Sequence, residues 1–230
     1  MIEFDYDELV KATESFSPST LIGKGSHGSV YKAKLTTNDN NKLVAVKKPF
    51  LHAHEEEDHD RSKLQNEIRV LSFLRQNRHV IDFLGTSRGN GNNRQQQQQV
   101  LVMEYMPNGS LHDLLHVSET PPSWPKRLEI AVQVARAVRF LHDESQPSVV
   151  HRDIKSANVL FDCDFVAKLA DFGLAVLVHV DNPGQPAGTI GYLDPWYTKP
   201  RLIFGGRGLN GYAKISASPY VTIQGWYAVI

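Results

Sequence analysis

The chain changes character near its middle, and this change limits its possible folds more than any other feature. Four stretches rich in β-branched residues predict strands, and they lie at 21–35, 42–50, 79–87 and 100–106. One helix is predicted among them over 61–76, and two more follow at 110–116 and 124–144. Strands with a single helix, followed by helices, predict an α+β chain in two lobes with a boundary near 106–109.

Apolar residues at helical spacing support three helical segments. In the helix over 61–76 the apolar face consists of Leu64, Ile68, Leu71 and Leu74. In the helix over 124–144 it consists of Leu128, Ala131, Val134, Ala135, Val138 and Leu141. A third pattern covers 4–16 with Phe4, Leu9, Val10, Ala12 and Phe16. Ser17-Pro18 stops that pattern, because the residue before a proline disfavours helical backbone.

Composition excludes several classes of function. The 230 residues include 25 basic and 25 acidic ones, so no strong net field favours nucleic acid or an anionic membrane. Cys163 is the single cysteine, so an internal disulfide is impossible and a reducing compartment is favoured. No apolar run approaches the roughly 18 residues of a membrane span. We therefore predict a cytoplasmic chain without a transmembrane segment and without a nucleic-acid partner.

A glycine-rich stretch at 23–30 fits the pattern G-x-G-x-x-G-x-V, with Gly23, Gly25, Gly28 and Val30 at its defined positions. Glycines let the backbone approach phosphates closely, and free amides supply hydrogen-bond donors. A strand, not a helix, is predicted after the glycines, which argues against a dinucleotide-binding fold. Taken alone, the stretch is better interpreted as a flexible hairpin.

Lys47 ends a predicted strand in "VAVK", and Glu67 lies 20 residues later on the predicted helix. An ion pair between the two would hold the lysine against the α and β phosphates of a nucleotide. The alternatives are a surface lysine that lies along its strand and a glutamate on a solvated helix face. The stretch "HRDIKSANVL" over 151–160 and the "DFG" at 171–173 decide between these interpretations. Four motifs in this order, at these intervals, are not expected by chance.

These motifs resemble those of eukaryotic protein kinases, and specifically the plant receptor-like (RLK/Pelle-type) serine/threonine kinases. The resemblance runs from about Phe4 to Leu202 and includes "GTIGYLDP" at 188–195. It implies a kinase-like fold with a β-rich N-lobe and a helical C-lobe. It divides the chain into a juxtamembrane-like segment (1–20), a kinase domain (21–202) and an atypical tail (203–230). Within the domain it assigns 21–106 to the N-lobe and 107–202 to a partial C-lobe.

The resemblance also implies roles for the motif residues in phosphoryl transfer from ATP with Mg²⁺. Asp153 would orient the acceptor hydroxyl, and Lys155 would stabilise the transferring phosphoryl group. Asn158 and Asp171 would hold Mg²⁺, since hard oxygen ligands suit a hard cation. Lys47, paired with Glu67, would hold the α and β phosphates.

The adenine and the partners follow from the same resemblance. Backbone groups of Glu104 and Met106 would bind the adenine, which Val30, Ala45 and Leu160 would sandwich. The implied substrate is a protein, and association with membrane receptor kinases would bring the chain to the plasma membrane.

The activation segment over 174–188 contains no serine, threonine or tyrosine. We therefore predict that phosphorylation within this span does not switch the chain, and that Asp181 supplies a fixed negative charge instead. Thr189 is interpreted as a residue that orients the substrate and Asp153.

The sequence departs from the family pattern after Leu202. The remainder is glycine-rich without a helical stripe, and Trp196 occupies the place of an expected glutamate. We therefore expect an incomplete C-lobe, from a truncated or alternatively spliced product or an imperfect gene model. Three functions stay open: a serine/threonine kinase, a non-catalytic nucleotide-binding or interaction module, and a non-functional product.

Overall fold

The computed structural model describes residues 2–25, 28–37, 40–50, 55–89, 99–181 and 186–193. The chain divides into two compact units. The first unit comprises Met1–Ser72 and Ile81–Pro107, and the second comprises Phe73–Val80 and Asn108–Ile230. The polar segment at 90–98 lies outside the described residues, as do residues 194–230, which include Trp196 and the atypical tail at 203–230.

The first unit is built on a six-stranded sheet. Its strands are β1 (Ile2–Glu3), β2 (Leu21–Lys24), β3 (Gly28–Thr37), β4 (Asn40–Pro49), β5 (Phe83–Arg88) and β6 (Gln99–Glu104). Their order in the sheet is β1-β5-β6-β4-β3-β2. The pairs β2–β3, β3–β4, β4–β6 and β5–β6 are antiparallel, whereas β1 pairs with β5 in parallel. All four predicted strand regions therefore contain strands, and the first region holds two of them.

The N-terminal segment forms part of the first unit. Helix α1 (Tyr6–Ala12) places the fully buried Leu9 in the core against β3, β4 and β6. The predicted helix over 4–16 is therefore too long. It ends early because Glu14, Ser15 and Phe16 have φ of 51°, 60° and 56°, which is left-handed backbone. Phe16 still packs against the core, but from this turn and not from a helix.

Helix α2 (Glu55–Phe73) follows β4 and begins six residues before its predicted start. Its Leu64, Ile68 and Leu71 are buried, as the apolar stripe predicts. Leu74 was predicted on the same face, but it lies beyond the end of the helix.

The second unit contains helices and short strand pairs. Its elements are α3 (Leu111–His116), α4 (Trp124–Arg139), β7 (Val149–Val150), β8 (Val159–Phe161), β9 (Ala167–Leu169) and β10 (Val176–Leu177). Strand β8 pairs with β9, and β7 pairs with β10, both antiparallel. Helix α3 begins at a capping box, in which Ser110 and Asp113 each bind the other's backbone N–H.

Two predictions about helix α4 were wrong. The α-helix predicted over 124–144 ends at Arg139 and continues as a π-helical turn over Phe140–Glu144. Its buried side differs from the predicted stripe and consists of Ile130, Gln133, Val134, Ala137 and Val138. Leu128 is 49% exposed, because the side of the helix that packs against β9 is rotated away from it. Within the described residues, no helix combines the length and apolar composition needed to cross a membrane.

Candidate active site

The glycine stretch forms the turn between β2 and β3 in the first unit. The backbone N–H of Gly25 donates to the carbonyl oxygen of Gly28 at 2.9 Å. A Cβ atom at Gly28 would lie 2.5 Å from the backbone oxygen of Lys48, so only glycine fits there. A Cβ at Gly25 would meet nothing closer than 3.7 Å, and one at Gly23 nothing closer than 3.8 Å. Gly28 is thus required by the β3–β4 pairing, and the tip at 26–27 lies outside the described residues.

Lys47 and Glu67 form an ion pair inside the first unit. The Nζ atom of Lys47 lies 2.6 Å from Oε2 of Glu67. The lysine side chain is 12% exposed and the glutamate side chain 1%. Strand β4 fixes the lysine through the register Lys47↔Leu101, and α2 supplies the glutamate from its buried side. Neither residue is the surface side chain that the alternative interpretation predicted.

The residues predicted to surround adenine in the first unit lie on adjacent strands. Val30 is the register partner of Lys47, and Ala45 is the partner of Met103. Glu104 ends β6, and its Oε1 atom accepts a hydrogen bond from the N–H of Asp82 at 2.7 Å. Met106 follows and is buried. Between these two, the ring of Tyr105 lies 4.8 Å from the Lys32 ammonium, a cation–π contact.

Asp153 is the centre of a hydrogen-bonded cluster in the second unit. Its Oδ2 atom accepts from Lys155 Nζ at 2.8 Å and from Asn158 Nδ2 at 3.0 Å. Asn158 Nδ2 also donates to the Asp153 carbonyl at 2.8 Å. The side chain of Asp153 is only 7% exposed, so these donors stabilise a carboxylate that is largely removed from water.

Thr189 joins this cluster from 36 residues away. Its hydroxyl donates to Asp153 Oδ1 at 2.6 Å and accepts from Lys155 Nζ at 2.8 Å. Gly188 makes this approach possible with φ of 144°, since a Cβ there would lie 2.7 Å from the backbone oxygen of Arg152. The Thr189 hydroxyl therefore lies between the Asp153 carboxylate and the Lys155 ammonium and contacts both.

The ring of His151 forms hydrogen bonds with the backbone next to this cluster. Its Nδ1 atom accepts from the N–H of Asp153 at 3.2 Å, so its Nε2–H donates to the Ala170 carbonyl at 3.0 Å. The ring stands edge-on to Phe172, with centroids 4.6 Å apart. Burial lowers the pKa of His151, an effect that the carboxylates of Asp171 and Asp153 oppose. The His151 ring therefore links the backbone at residues 153 and 170 through hydrogen bonds at both of its nitrogen atoms.

Asn158 and Asp171 flank the β8–β9 hairpin. The N–H of Ala170 donates to the Asn158 carbonyl at 2.9 Å and ties the two ends of the hairpin together. Because the amide nitrogen of Asn158 is bound to Asp153, its Oδ1 atom faces away from that carboxylate. Asp171 is half-buried with φ of 64°. Leu160, predicted to contact adenine, lies in β8 and is half-buried.

These two oxygen donors fit Mg²⁺. Mg²⁺ typically takes one or two protein ligands and completes its shell with phosphate oxygens and water. In the part of the chain that the structure describes, no three His, Cys, Asp or Glu side chains are grouped to hold a metal ion. A metal at Asn158 and Asp171 would therefore depend on a phosphate-bearing ligand.

Within the activation segment, residues 177–181 form a turn, and β10 at its start pairs with β7. Asp181 Oδ2 accepts from the N–H of Leu177 at 2.8 Å, and the N–H of Asp181 donates to the Leu177 carbonyl at 3.0 Å. Arg152, with φ of 67°, donates from Nε to the Leu174 carbonyl at 2.8 Å. The fixed-charge role for Asp181 stays a prediction.

Two residues near the site were missed from the sequence. Gln133 on α4 accepts from the N–H of Ala167 at 2.6 Å, and His79 pairs with β9 through backbone and ring. A signal for Gln133 existed, since it is a polar residue between apolar neighbours in a helix. His79 gave no comparable signal, because the partners lie 88 residues away.

The sequence is similar to those of known protein kinases. A family model described as a protein kinase domain matches residues 16–214. A serine/threonine-protein kinase-like protein of Arabidopsis thaliana is 50% identical over 214 residues, which cover 87% of this chain and 59% of the relative. A second such protein is 44% identical, covering 86% of this chain and 42% of its own length. The Arabidopsis wall-associated receptor kinase-like 14 is 40% identical, covering 84% and 26%. The chain thus spans about six tenths or less of these relatives.

Proposed function

Because this chain belongs to the protein kinase family, we propose that it transfers the γ-phosphate of ATP to serine and threonine hydroxyls of a protein substrate. The sequence covers the N-terminal part of a kinase domain, with a β-rich N-lobe sheet and an incomplete C-lobe. The observation that carries the proposal is the cluster of Asp153, Lys155, Asn158 and Thr189, in which a carboxylate and an ammonium meet at one hydroxyl.

In the proposed reaction Asp153 acts on the acceptor hydroxyl. A substrate hydroxyl that took the place of the Thr189 hydroxyl would donate to Asp153 and lie beside the Lys155 ammonium. Asp153 would orient this hydroxyl and accept its proton as phosphorus is attacked. Lys155 would stabilise the negative charge on the transferring group, which is the principal demand of a loose phosphoryl-transfer transition state.

Nucleotide binding is proposed for the first unit. Lys47 would bind the α and β phosphates, and Glu67 keeps its ammonium in place at 2.6 Å. Gly23, Gly25 and Gly28 would let the backbone approach the phosphates. The adenine would contact Val30 and Ala45 and bind backbone groups of Glu104 and Met106. Leu160 would contact it from β8.

Asn158 and Asp171 would hold Mg²⁺ through Oδ1 of the amide and the carboxylate. The bound cation supplies neutralisation of charge on the β and γ phosphates. What the chain itself contributes is orientation, because Asn158 is fixed by two hydrogen bonds to Asp153 and by the Ala170 N–H.

We extend the proposal to partners and domain limits. Receptor-like names recur among the relatives, including a leucine-rich repeat receptor-like kinase and a proline-rich receptor-like kinase. We therefore propose that the chain acts in the cytoplasm and reaches the plasma membrane through membrane receptor kinases. The division into 1–20, 21–202 and 203–230 is kept as a proposal, with lobes of 21–106 and 107–202.

A non-catalytic nucleotide-binding or interaction module is the second candidate. A specific observation favours it: α4 exposes Trp124, Leu128 and Val132 at spacings of four residues, with exposed fractions of 65%, 49% and 51%. Contiguous exposed apolar side chains commonly mark a protein-interaction surface, which suits a module that binds a nucleotide or a partner without turnover.

Transfer of radiolabelled phosphate from ATP to a protein acceptor tests the proposal. We expect Asp153→Asn to abolish transfer, and Asp164→Asn, on the exposed β8–β9 turn, to retain it. A thermal shift on adding ATP and Mg²⁺ is measured in parallel. A shift without transfer by the wild-type chain would overturn the enzyme and favour the interaction module.

A further inference from the structure

The β8–β9 hairpin sets the distance between the two proposed magnesium ligands. Asn158 immediately precedes β8, and Asp171 follows β9 by two residues. The strands pair in the register Val159↔Leu169 and Phe161↔Ala167. Any slip or separation of β9 relative to β8 therefore moves Asp171 relative to Asn158.

The outer edge of β9 is bound by groups from two other segments. The N–H of Ala167 donates to Oε1 of Gln133 at 2.6 Å. The Ala167 carbonyl lies 3.2 Å from Nδ1 of His79, and the N–H of Leu169 donates to the His79 carbonyl at 2.9 Å. A strand in a two-stranded pair would otherwise expose these groups on its edge. Here β9 is bound on both edges.

Gln133 is an unexpected residue at its position on α4. The other residues on the buried side of this helix are Ile130, Val134, Ala137 and Val138. Burial of an amide is unfavourable unless both of its ends are hydrogen-bonded. Both ends are used, because Nε2 donates to Glu129 Oε1 at 3.1 Å while Oε1 accepts from Ala167.

We propose that Gln133 is a positioning residue for the metal site: it holds β9 in place and so fixes the separation of Asn158 and Asp171. The inference rests on the proposed function, since it concerns the residues assigned to Mg²⁺. Gln133 itself touches neither nucleotide nor metal in this scheme. It acts through β9, as the second layer of contacts behind metal ligands commonly does.

Two full-length variants separate this role from general stability. Gln133→Leu keeps the size of the side chain and removes the acceptor for Ala167. The double variant Glu129→Gln/Gln133→Glu exchanges carboxylate and amide, so that an acceptor still faces Ala167 and a donor still joins the two side chains. The double variant also removes the ion pair between Lys126 and Glu129. Both side chains of that pair are exposed, so it contributes little to stability.

The first measurement is a magnesium titration in the presence of saturating ATP, followed by thermal shift. We expect Gln133→Leu to raise the half-maximal Mg²⁺ concentration by about tenfold or more, as for the loss of other second-layer contacts. The thermal shift caused by ATP without Mg²⁺ stays unchanged in Gln133→Leu. The half-maximal Mg²⁺ concentration of the double variant Glu129→Gln/Gln133→Glu stays close to that of the wild type. A Gln133→Leu titration equal to that of the wild type overturns the inference.

Hydrogen exchange across 159–171 is the second measurement. We expect faster hydrogen exchange at Ala167 and Leu169 in Gln133→Leu. In the double variant Glu129→Gln/Gln133→Glu we expect the same protection as in the wild type. Unchanged exchange in Gln133→Leu also overturns the inference. If the wild-type chain shows no thermal shift with ATP and Mg²⁺, the proposed function fails. This outcome depends on the wild type alone and not on either variant. A normal wild-type response combined with an unaffected leucine variant defeats the positioning role alone.

Discussion

The ammonium of Lys47 and the carboxylate of Glu67 lie 2.6 Å apart, and only 1% of the glutamate side chain is exposed. The pair joins the central strand β4 to helix α2. Two charges in such surroundings lose much of their hydration, so each relies on the other and on further hydrogen bonds. The nucleotide-binding role proposed for Lys47 is therefore linked to the stability of the first unit.

We expect Lys47→Met to lower the free energy of unfolding of the first unit by about 3–5 kcal/mol, because it leaves the Glu67 carboxylate buried without this cation. The double variant Lys47→Met/Glu67→Leu should recover much of that loss, since apolar replacement of both partners is often tolerated. Urea denaturation of the three proteins measures this. A double variant that is as unstable as Lys47→Met would contradict the pairing argument.

Gly28→Ala should destabilise the first unit by about 1–3 kcal/mol, the usual cost of forcing extra volume into a packed site. Its Cβ would lie 2.5 Å from the Lys48 backbone oxygen, so β3 and β4 would have to separate. Gly25→Ala is the matched control, with its nearest neighbour at 3.7 Å. Thermal melts of both variants without nucleotide distinguish them. Equal melting temperatures would show that β3 and β4 accommodate the added methyl group without loss of stability, contrary to the prediction.

Gly85→Ala should release β1 from β5. A Cβ at this position would clash with the carbonyl oxygen of Ile2, and flexible side-chain motion cannot relieve a clash with backbone. The N–H of Phe4 donates to the Thr86 carbonyl at 2.8 Å, so its exchange with solvent deuterium reports the pairing. We expect faster exchange over residues 2–4 than in the wild type. Gly23→Ala serves as the control, and equal exchange in the two variants would refute the proposed clash.

The sequence could predict the parts of the site that are close along the chain. Asp153, Lys155 and Asn158 lie within six residues, so one motif fixes their grouping. The strand bearing Lys47 and the helix bearing Glu67 were also predictable from apolar patterns. The approach of Thr189 to Asp153 was expected only through the family resemblance, because a separation of 36 residues leaves no local signal.

Other features could not be predicted, for definite physical reasons. Periodicity extended the N-terminal helix to residue 16, because a left-handed turn at 14–16 still brings Phe16 to the core. The apolar spacing of α4 predicts a buried stripe that includes Leu128, because spacing alone does not reveal which side of the helix packs against β9. Gln133 stands out in the sequence as a polar residue among apolar neighbours, but its partner does not, since Ala167 lies 34 residues further along the chain.

The stability of the second unit should fall as the pH is lowered below about 6.5. Burial lowers the pKa values of His151, His79 and His142 in the folded chain, while the unfolded chain keeps the ordinary value of about 6.5. As the pH falls through that value, the unfolded state binds protons that the folded state does not. The free energy of unfolding therefore decreases, by up to about 1.4 kcal/mol per pH unit for each histidine.

Urea denaturation at pH 7.5, 6.5 and 5.5 measures this slope, in a range above the ordinary pKa values of carboxylates, about 4. We expect His151→Asn to give a smaller slope than the wild type, because the group that resists protonation in the folded state is gone. His112→Asn, at an exposed ring on α3, is the matched control. A slope that His151→Asn leaves unchanged would mean that this ring takes up a proton as readily in the folded chain as in the unfolded one. Once protonated, Nδ1 could not accept from the Asp153 N–H, and the loop at 151–158 would be held by a different hydrogen bond.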